Sequence, residues 1–285
     1  MKGAIIGDII GSVYEFHTIK QKQFKLFKPK CFFTDDTVLT CAVSLATIEY
    51  KKDHSIENFR KNVIENLKKM SKEYPNAGFG YSYDEWVNSD NSEPYNSYGN
   101  GGAMRTSSVA YVANSLEEAL LLAKTQAEVT HNHEEGIKGA QAITACIYLA
   151  RTGKSKEEIR EYITKNFYPL DFKIRDIYRK YQYDITAQGS VPQAIEAFLE
   201  GEDFEDCIRT SISLGGDADT LAAMTGSIAE AYYGIPEDIE KKLPDYLDER
   251  LQKCVDDFYE EMKKKSNIEE MLQEEPKEEK NNYYK

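Results

Sequence analysis

Apolar residues recur at three- and four-residue intervals along most of the chain, and no convincing series of alternating strands interrupts them. Val38, Cys41, Ala42, Leu45 and Ala46 mark one helix, and Ile56, Phe59, Val63, Leu67 and Met70 mark another with Ser55 as its cap. Ser115 with Glu118 and Ser155 with Glu158 read as capping boxes, each opening a further helix. The run from about His133 to Thr152 is closed by Gly153. Asp203 can cap Phe204 to Ser213, and Leu221 to Tyr233 ends at Gly234 with Pro236 beyond. Leu247, Leu251, Cys254, Phe258 and Met262 form a last amphipathic stripe. Helices with apolar stripes must bury them against one another, so the expected fold is all-α.

Two stretches depart from this pattern. Tyr74 to Arg105 is long, aromatic and rich in Gly, Asn and Ser, and an irregular segment of that length inside a compact domain is usually functional. From 263 onward the chain is charged and poor in bulky apolar residues, which predicts a disordered tail (263–285) behind a single helical domain (1–262). With 36 Lys and Arg against 49 Asp and Glu, the net charge of −13 disfavours unmodified nucleic acid and anionic membranes as partners. Five widely spaced cysteines without a C-x-x-C suit reduced thiols in a cytoplasm better than a disulfide framework, and a monomer is expected. The apolar stretch Gly3 to Val13 is short and carries Asp8, so no signal peptide is expected.

Chemistry concentrates in two acidic motifs far apart in sequence, Thr34-Asp35-Asp36-Thr37 and Gly215-Gly216-Asp217-Ala218-Asp219-Thr220. Each stands where a turn feeds a helix. Either motif alone could be a helix cap. Together their carboxylates and hydroxyls suggest a shared site for a hard cation, Mg²⁺, Mn²⁺ or Ca²⁺, since oxygen-only ligands do not favour zinc. Four converging carboxylates would repel unless cations held them ionised, and two cations roughly 4 Å apart would be a natural occupancy. An EF-hand is ruled out by the missing spaced acids and closing Glu. On a helical wheel, Ile6, Ile9, Ile10 and Val13 share one face of the first helix, and Asp8, Ser12 and Glu15 share the other. Alone, that acidic stripe reads as a solvated surface. The functional reading points it into a polar cavity, with Gly3, Gly7 and Gly11 admitting another backbone.

The loop Ser97-Tyr98-Gly99-Asn100-Gly101-Gly102-Ala103-Met104-Arg105 offers small residues and free amides, an arrangement suited to a phosphate or pyrophosphate. Gly78-Phe79-Gly80 could supply a second small-residue edge. Thr130-His131-Asn132-His133 precedes a helix and suits capping plus a ligand contact better than metal ligation.

In order and spacing, these motifs from about residue 3 to 236 resemble the ADP-ribosylglycohydrolase family. The opening Gly3 to Glu15, the Thr34 motif, the Ser97 loop, Thr130-His131, Ser190-Val191-Pro192-Gln193-Ala194-Ile195 and the Gly215 motif each have a counterpart. The resemblance implies a single bundle of orthogonally packed helices around a central cleft holding two divalent cations, and it narrows these to Mg²⁺ or Mn²⁺. It implies Thr34, Asp35, Asp36, Asp217, Asp219 and Thr220 as metal ligands, with Glu15 a mobile carboxylate beside them. Ser97, Tyr98, Gly99, Asn100 and Gly101 would cradle the pyrophosphate of ADP-ribose, with His131 near its distal ribose. The expected activity is metal-dependent release of ADP-ribose from a modified arginine or serine side chain or a related conjugate, with Glu15, Asp35 and Asp36 as candidate proton acceptors. A non-catalytic ADP-ribose-binding module and a metal-dependent nucleotide phosphohydrolase are the alternatives. The segment Phe16 to Phe33 is short and Lys-rich, so a lid or specificity loop there is expected to differ from other members. The tail after Met262 has no counterpart, and Tyr95, Phe79 and Tyr81 are candidates to stack on adenine.

Overall fold

The computed structural model describes residues 1–264. These form α1 (Lys2–Gly11), α2 (Asp35–Asp53), α3 (Ile56–Glu73), α4 (Tyr81–Asn88), α5 (Gly101–Met104), α6 (Val109–Val112), α7 (Leu116–Ala127) and α8 (Glu134–Arg151). They continue as α9 (Lys156–Asn166), α10 (Ile174–Ile177), α11 (Ala187–Glu200), α12 (Phe204–Leu214), α13 (Ala218–Tyr233), α14 (Glu237–Glu240), a 3₁₀ turn (Leu243–Tyr246) and α15 (Glu249–Lys263). No strand occurs among the described residues, where one isolated bridge joins Gly99 to Thr186. The all-α expectation holds. The expected tail falls outside the described residues from 265, and Lys263 itself closes α15.

Helix α13 is the spine. Every residue from Ala218 to Ala229 is buried, and α1, α8, α11 and α12 all pack on it. Helix α1 is also buried throughout Gly3–Gly11, so the solvated-stripe reading of its acidic face is overturned. Its glycines explain why. A Cβ at Gly7 would stand 2.1 Å from the Ala222 carbonyl oxygen, and one at Gly3 2.2 Å from that of Gly226. Only a glycine edge allows two helix backbones to approach so closely. A helix buried on every side has no solvated face, so polar residues on it must find partners inside.

The remaining scaffold follows the sequence closely. Ser55, Ser115, Ser155 and Asp203 each accept a backbone N–H at a helix start. Only Ser155 and Glu158 complete a reciprocal capping box. Glu118 instead accepts from the Asn114 N–H and the Tyr50 hydroxyl, both at 2.7 Å. The segment Tyr74 to Arg105 is not wholly irregular, because α4 lies within it and buries Tyr83, Trp86 and Val87. All five cysteines are buried and unbridged, and among the described residues no helix is long and apolar enough to cross a membrane.

Candidate active site

The first acidic motif opens α2. Thr34 is extended at the N-cap, and its hydroxyl accepts from the Asp36 N–H at 3.3 Å, so capping is real there. It fails at the second motif. Asp217 occupies the N-cap of α13 but makes no side-chain capping bond; its Oδ2 accepts from Asn100 Nδ2 at 2.7 Å. Gly215 and Gly216 both adopt left-handed angles, φ +74° and +75°, which turn the chain into the helix. A Cβ on either would strike Thr18 or Tyr181.

The two motifs meet. Thr220 Oγ1 donates to Asp36 Oδ2 at 3.0 Å. Carboxylate oxygens of Asp8, Asp36 and Asp219 lie within 4.8 Å of one another, as do those of Glu15, Asp217 and Asp219. Burial and then neighbouring carboxylates push the Asp35, Asp36 and Asp219 carboxyls well above their ordinary range. Burial also raises Glu15, which takes a 3.0 Å hydrogen bond from the Tyr183 hydroxyl. Asp36 Oδ1 is buried with no hydrogen-bond partner among the described residues. A stranded carboxylate oxygen amid mutually repelling acids is a site that lacks positive charge. The donors are all oxygens, so the residues fit a hard divalent cation.

Asp8 has a different place. Its Oδ1 accepts from Thr34 Oγ1 at 2.7 Å, while Oδ2 accepts from the Thr34 and Thr37 N–H groups at 2.9 and 3.1 Å and from the Thr37 hydroxyl. Burial raises its pKa to about 6, against those stabilising bonds. With four donors already satisfied, this carboxylate holds the turn that aims Asp35 and Asp36.

A cleft of about 520 Å³ lies beside the acids, within the usual size range of small-molecule sites. Its far wall is the loop from Ser97 to Gly101 together with His131. Much of the amide-rich loop is internally committed. The N–H groups of Ser97, Gly99 and Asn100 donate to Thr130 O, Ser97 Oγ and Ile185 O. Those of Gly101 and Gly102 have no acceptor among the described residues. Gly101 also makes room for the imidazole, since a Cβ there would stand 2.9 Å from His131 Nε2.

A family model described as ADP-ribosylglycohydrolase matches residues 1–268. The chain belongs to the ADP-ribosylglycohydrolase family. Membership makes it a glycosidase-type hydrolase. Among relatives, ADP-ribosylhydrolase ARH3 of Homo sapiens is 26% identical over 322 residues, covering 86% of this chain and 88% of that protein. The Mus musculus ARH3 is 25% identical, covering 83% of each. ADP-ribosylarginine hydrolase Tri1 of Pseudomonas putida (strain GB-1) is 32% identical over 154 residues, covering 50% of this chain and 42% of that one. A solved ADP-ribosylglycohydrolase-related protein complex superposes with a TM-score of 0.67 at 21% identity, covering 92% of this chain and 95% of the other, a likeness of fold.

Of the site residues expected for this glycohydrolase from its sequence, all border the cleft except Asp36, Phe79 and Tyr98. Asp36 lies buried beneath it. Phe79 packs on Tyr83, with ring centroids 5.4 Å apart. The Tyr98 ring is exposed and set edge-on to His133, and its carbonyl accepts from the Ala187 N–H at 2.9 Å. Among the stacking candidates, Tyr95 is half-buried on the cleft wall and Tyr81 stands exposed at the mouth. Three contributors, Asp8, Tyr183 and Arg105, have no site role assigned from sequence, although the functional reading of the first helix points Asp8 into a polar cavity and Arg105 closes the Ser97 loop. Asp8 had a signal, because the Gly3-Gly7-Gly11 spacing implied a helix buried against another backbone. The roles of the other two become visible only in three dimensions.

Proposed function

We propose that this glycohydrolase releases ADP-ribose from a conjugate by hydrolysing the bond at the anomeric carbon of the distal ribose, with divalent cations held between its two acidic motifs. The observation that carries the reading is the convergence of Asp36 and Thr220, 184 residues apart, in a cluster with a stranded carboxylate oxygen. The names of the ARH3 and Tri1 relatives support the substrate class. Thr34, Asp35, Asp36, Asp217, Asp219 and Thr220 are the proposed ligands. When bound, two Mg²⁺ or Mn²⁺ ions would keep the carboxylates ionised and supply Lewis acidity toward ribose hydroxyls and water.

The chain's own groups do the rest. The Gly101 N–H, on the cleft wall and without an acceptor among the described residues, offers a free donor to a phosphate oxygen. Asn100, fixed by its bond to Asp217, couples that loop to the metal ligands. Asp35 and Glu15 border the cleft, which supports them as the acceptors of the attacking water's proton over Asp36, which does not. The Tyr183 hydroxyl orients Glu15. Charge developing at the ribose ring has an oxocarbenium character that nearby carboxylates stabilise.

The test is a panel of arginine-linked and serine-linked ADP-ribosyl substrates, scored for free ADP-ribose with Mg²⁺, Mn²⁺ or EDTA. Asp217→Ala should lose activity on the order of a hundredfold or more, because several kcal/mol of electrostatic stabilisation go with the ligand. Tight ADP-ribose binding without turnover would point to a binding module, and inorganic phosphate as the product to a phosphohydrolase. Full activity in EDTA would refute the metal assignment.

A further inference from the structure

Arg105 ends the ligand loop, yet its side chain is wholly buried, and among the described residues no carboxylate pairs with it. Its guanidinium donates to neutral acceptors instead. Nε reaches Gln126 Oε1 at 2.9 Å, and Nη2 reaches both the Gln126 carbonyl and Thr130 Oγ1 at 2.9 Å. Thr130 Oγ1 in turn lies 2.8 Å from His131 Nδ1. Gln126 Nε2 donates to Gly102 O at 2.7 Å, tying the group back to the loop.

The polarity of this chain of bonds is decided by its first member. A guanidinium can only donate, so the Thr130 hydroxyl must accept from Nη2. The hydroxyl's own proton then needs an acceptor, and Thr130 is fully buried. Among the described residues its one remaining partner is His131 Nδ1. If Nδ1 carried a proton, the hydroxyl would accept twice and leave its own hydrogen buried without a partner, which is costly. The relay therefore leaves Nδ1 unprotonated. Burial and the Arg105 charge both keep the imidazole neutral, so its single proton resides on Nε2. That nitrogen has no partner among the described residues, and it stands beside Gly99 and Gly101 on the cleft wall.

We infer that Arg105 and Thr130 are positioning residues that fix His131 as the Nε2–H tautomer, so that the ring presents a hydrogen-bond donor, not an acceptor or a base, to an oxygen of the ligand in the cleft. Candidate acceptors are ribose hydroxyl and phosphate oxygens. The tautomer is a property of the folded chain, and only the kinetic consequence rests on the hydrolase reading. The relay also gives a reason for burying a cation without a counter-ion: a carboxylate beside Arg105 would neutralise the charge that helps to keep the ring uncharged.

The experiment is ¹⁵N-histidine correlation spectroscopy on the full chain with Mg²⁺, with His131 assigned by loss of its signals in His131→Asn. The expected result is a proton on Nε2 in the wild type and in Thr130→Ser, and a shifted or mixed tautomer in Thr130→Val. In the same variants, KM for an ADP-ribosyl substrate should rise about two- to tenfold in Thr130→Val, the range set by one neutral hydrogen bond, with kcat little changed. Thr130→Ser should restore it to within about twofold. If the wild type shows no turnover, the hydrolase reading fails, and calorimetry with ADP-ribose supplies the affinity instead. A proton on Nδ1, a doubly protonated ring at neutral pH, or Thr130→Val with an unaltered tautomer would overturn the proposal. The wild-type spectrum decides it even if a variant does not fold.

Discussion

Replacing Gly7 with alanine tests whether the contact between α1 and α13 depends on a missing side chain. Helix propensity alone favours the substitution, since alanine exceeds glycine by about 1 kcal/mol in a helix interior. Packing opposes it. The new methyl would lie 2.1 Å from the Ala222 carbonyl oxygen, 2.3 Å from its carbon and 2.7 Å from the Ala223 nitrogen. All three are backbone atoms of a helix packed by α8, α11 and α12, so none can swing aside. Relief requires the two helices to part by about 1 Å, a gap that forfeits a quarter to a half of the dispersion well at each facing contact. Ile5, Ile6, Ile9 and Ile10 are fully buried around this helix, and each contributes about 1.5–3 kcal/mol by burial. Losing a fraction of that, and setting the propensity gain against it, leaves a net destabilisation of roughly 2–4 kcal/mol. For a chain of this size the melting temperature should fall by roughly 5–15 °C. Urea and thermal unfolding of Gly7→Ala measure it, with Gly80→Ala as the control. A Cβ at Gly80 meets nothing within 4 Å, so that variant should stay within about 0.5 kcal/mol of wild type. A Gly7→Ala protein as stable as the parent would refute the close-packing argument.

Three further outcomes follow from the acidic cluster and its neighbours. Carboxyls raised in the folded state bind protons more tightly there than in the unfolded chain, so their stabilisation is present at low pH and lost as pH rises. In EDTA, the melting temperature should therefore decline from about pH 4 through the Asp8 value of about 6 and beyond, and Mg²⁺ should restore more stability at pH 8 than at pH 5. A flat EDTA profile would show that the acids do not repel one another. Asp219→Asn removes a charge facing Asp217, Asp36, Asp8 and Glu15, so it should raise metal-free stability at about pH 8 by roughly 1–2 kcal/mol while shrinking the Mg²⁺-dependent increment. Calorimetric scans with and without Mg²⁺ measure both effects, and an unchanged increment would count against Asp219 as a ligand. Tyr183→Phe keeps the ring near Phe16 but loses the bond to Glu15, so kcat/KM should fall about two- to tenfold with little change in melting temperature. Full activity with a lowered melting temperature would make that hydroxyl structural only.

The long helices were legible because their apolar stripes and caps are local signals. Ser55, Ser155 and Asp203 cap where expected, and α2 and α13 begin at the acidic motifs. Elements whose signals conflict were not. Helix α4 sits in a Gly-, Asn- and Ser-rich stretch, and its buried Trp86 carried too little periodicity to stand out. Helix α11 contains Pro192, which argues against a helix locally but is accommodated inside a buried one. In the site, residue types that declare their chemistry, carboxylates beside glycines, were found from composition and order. The burial of Arg105 was not, although the residue closes the Ser97 loop, because arginine is ordinarily solvated and nothing local announces that Gln126 and Thr130 will enclose it. Its partners lie 21 and 25 residues away, and only packing brings them together.

Helix geometry explains why this arrangement tolerates so many acids. Asp35 and Asp36 stand in the first turn of α2, and Asp219 and Thr220 in the first turn of α13, so two helix N-termini are directed at the same carboxylates. Each contributes a partial positive charge that favours the ionised form, opposing the burial and the neighbouring carboxylates that raise Asp36 and Asp219. Helix α1 then sets the spacing between those termini. Its glycine edge lies directly on α13, with Gly11 against the Cα of Asp219, while Asp8 on the same helix grips the Thr34–Thr37 turn of α2. The distance between the acidic motifs is thus set through an element buried from Gly3 to Gly11, whose one carboxylate is held by four hydrogen bonds from the Thr34–Thr37 turn. A displacement of α1 large enough to admit a methyl group would shift Asp8, and with it Asp36, relative to Asp219. Packing at Gly7 and chemistry at Asp36 are therefore consequences of the same contact.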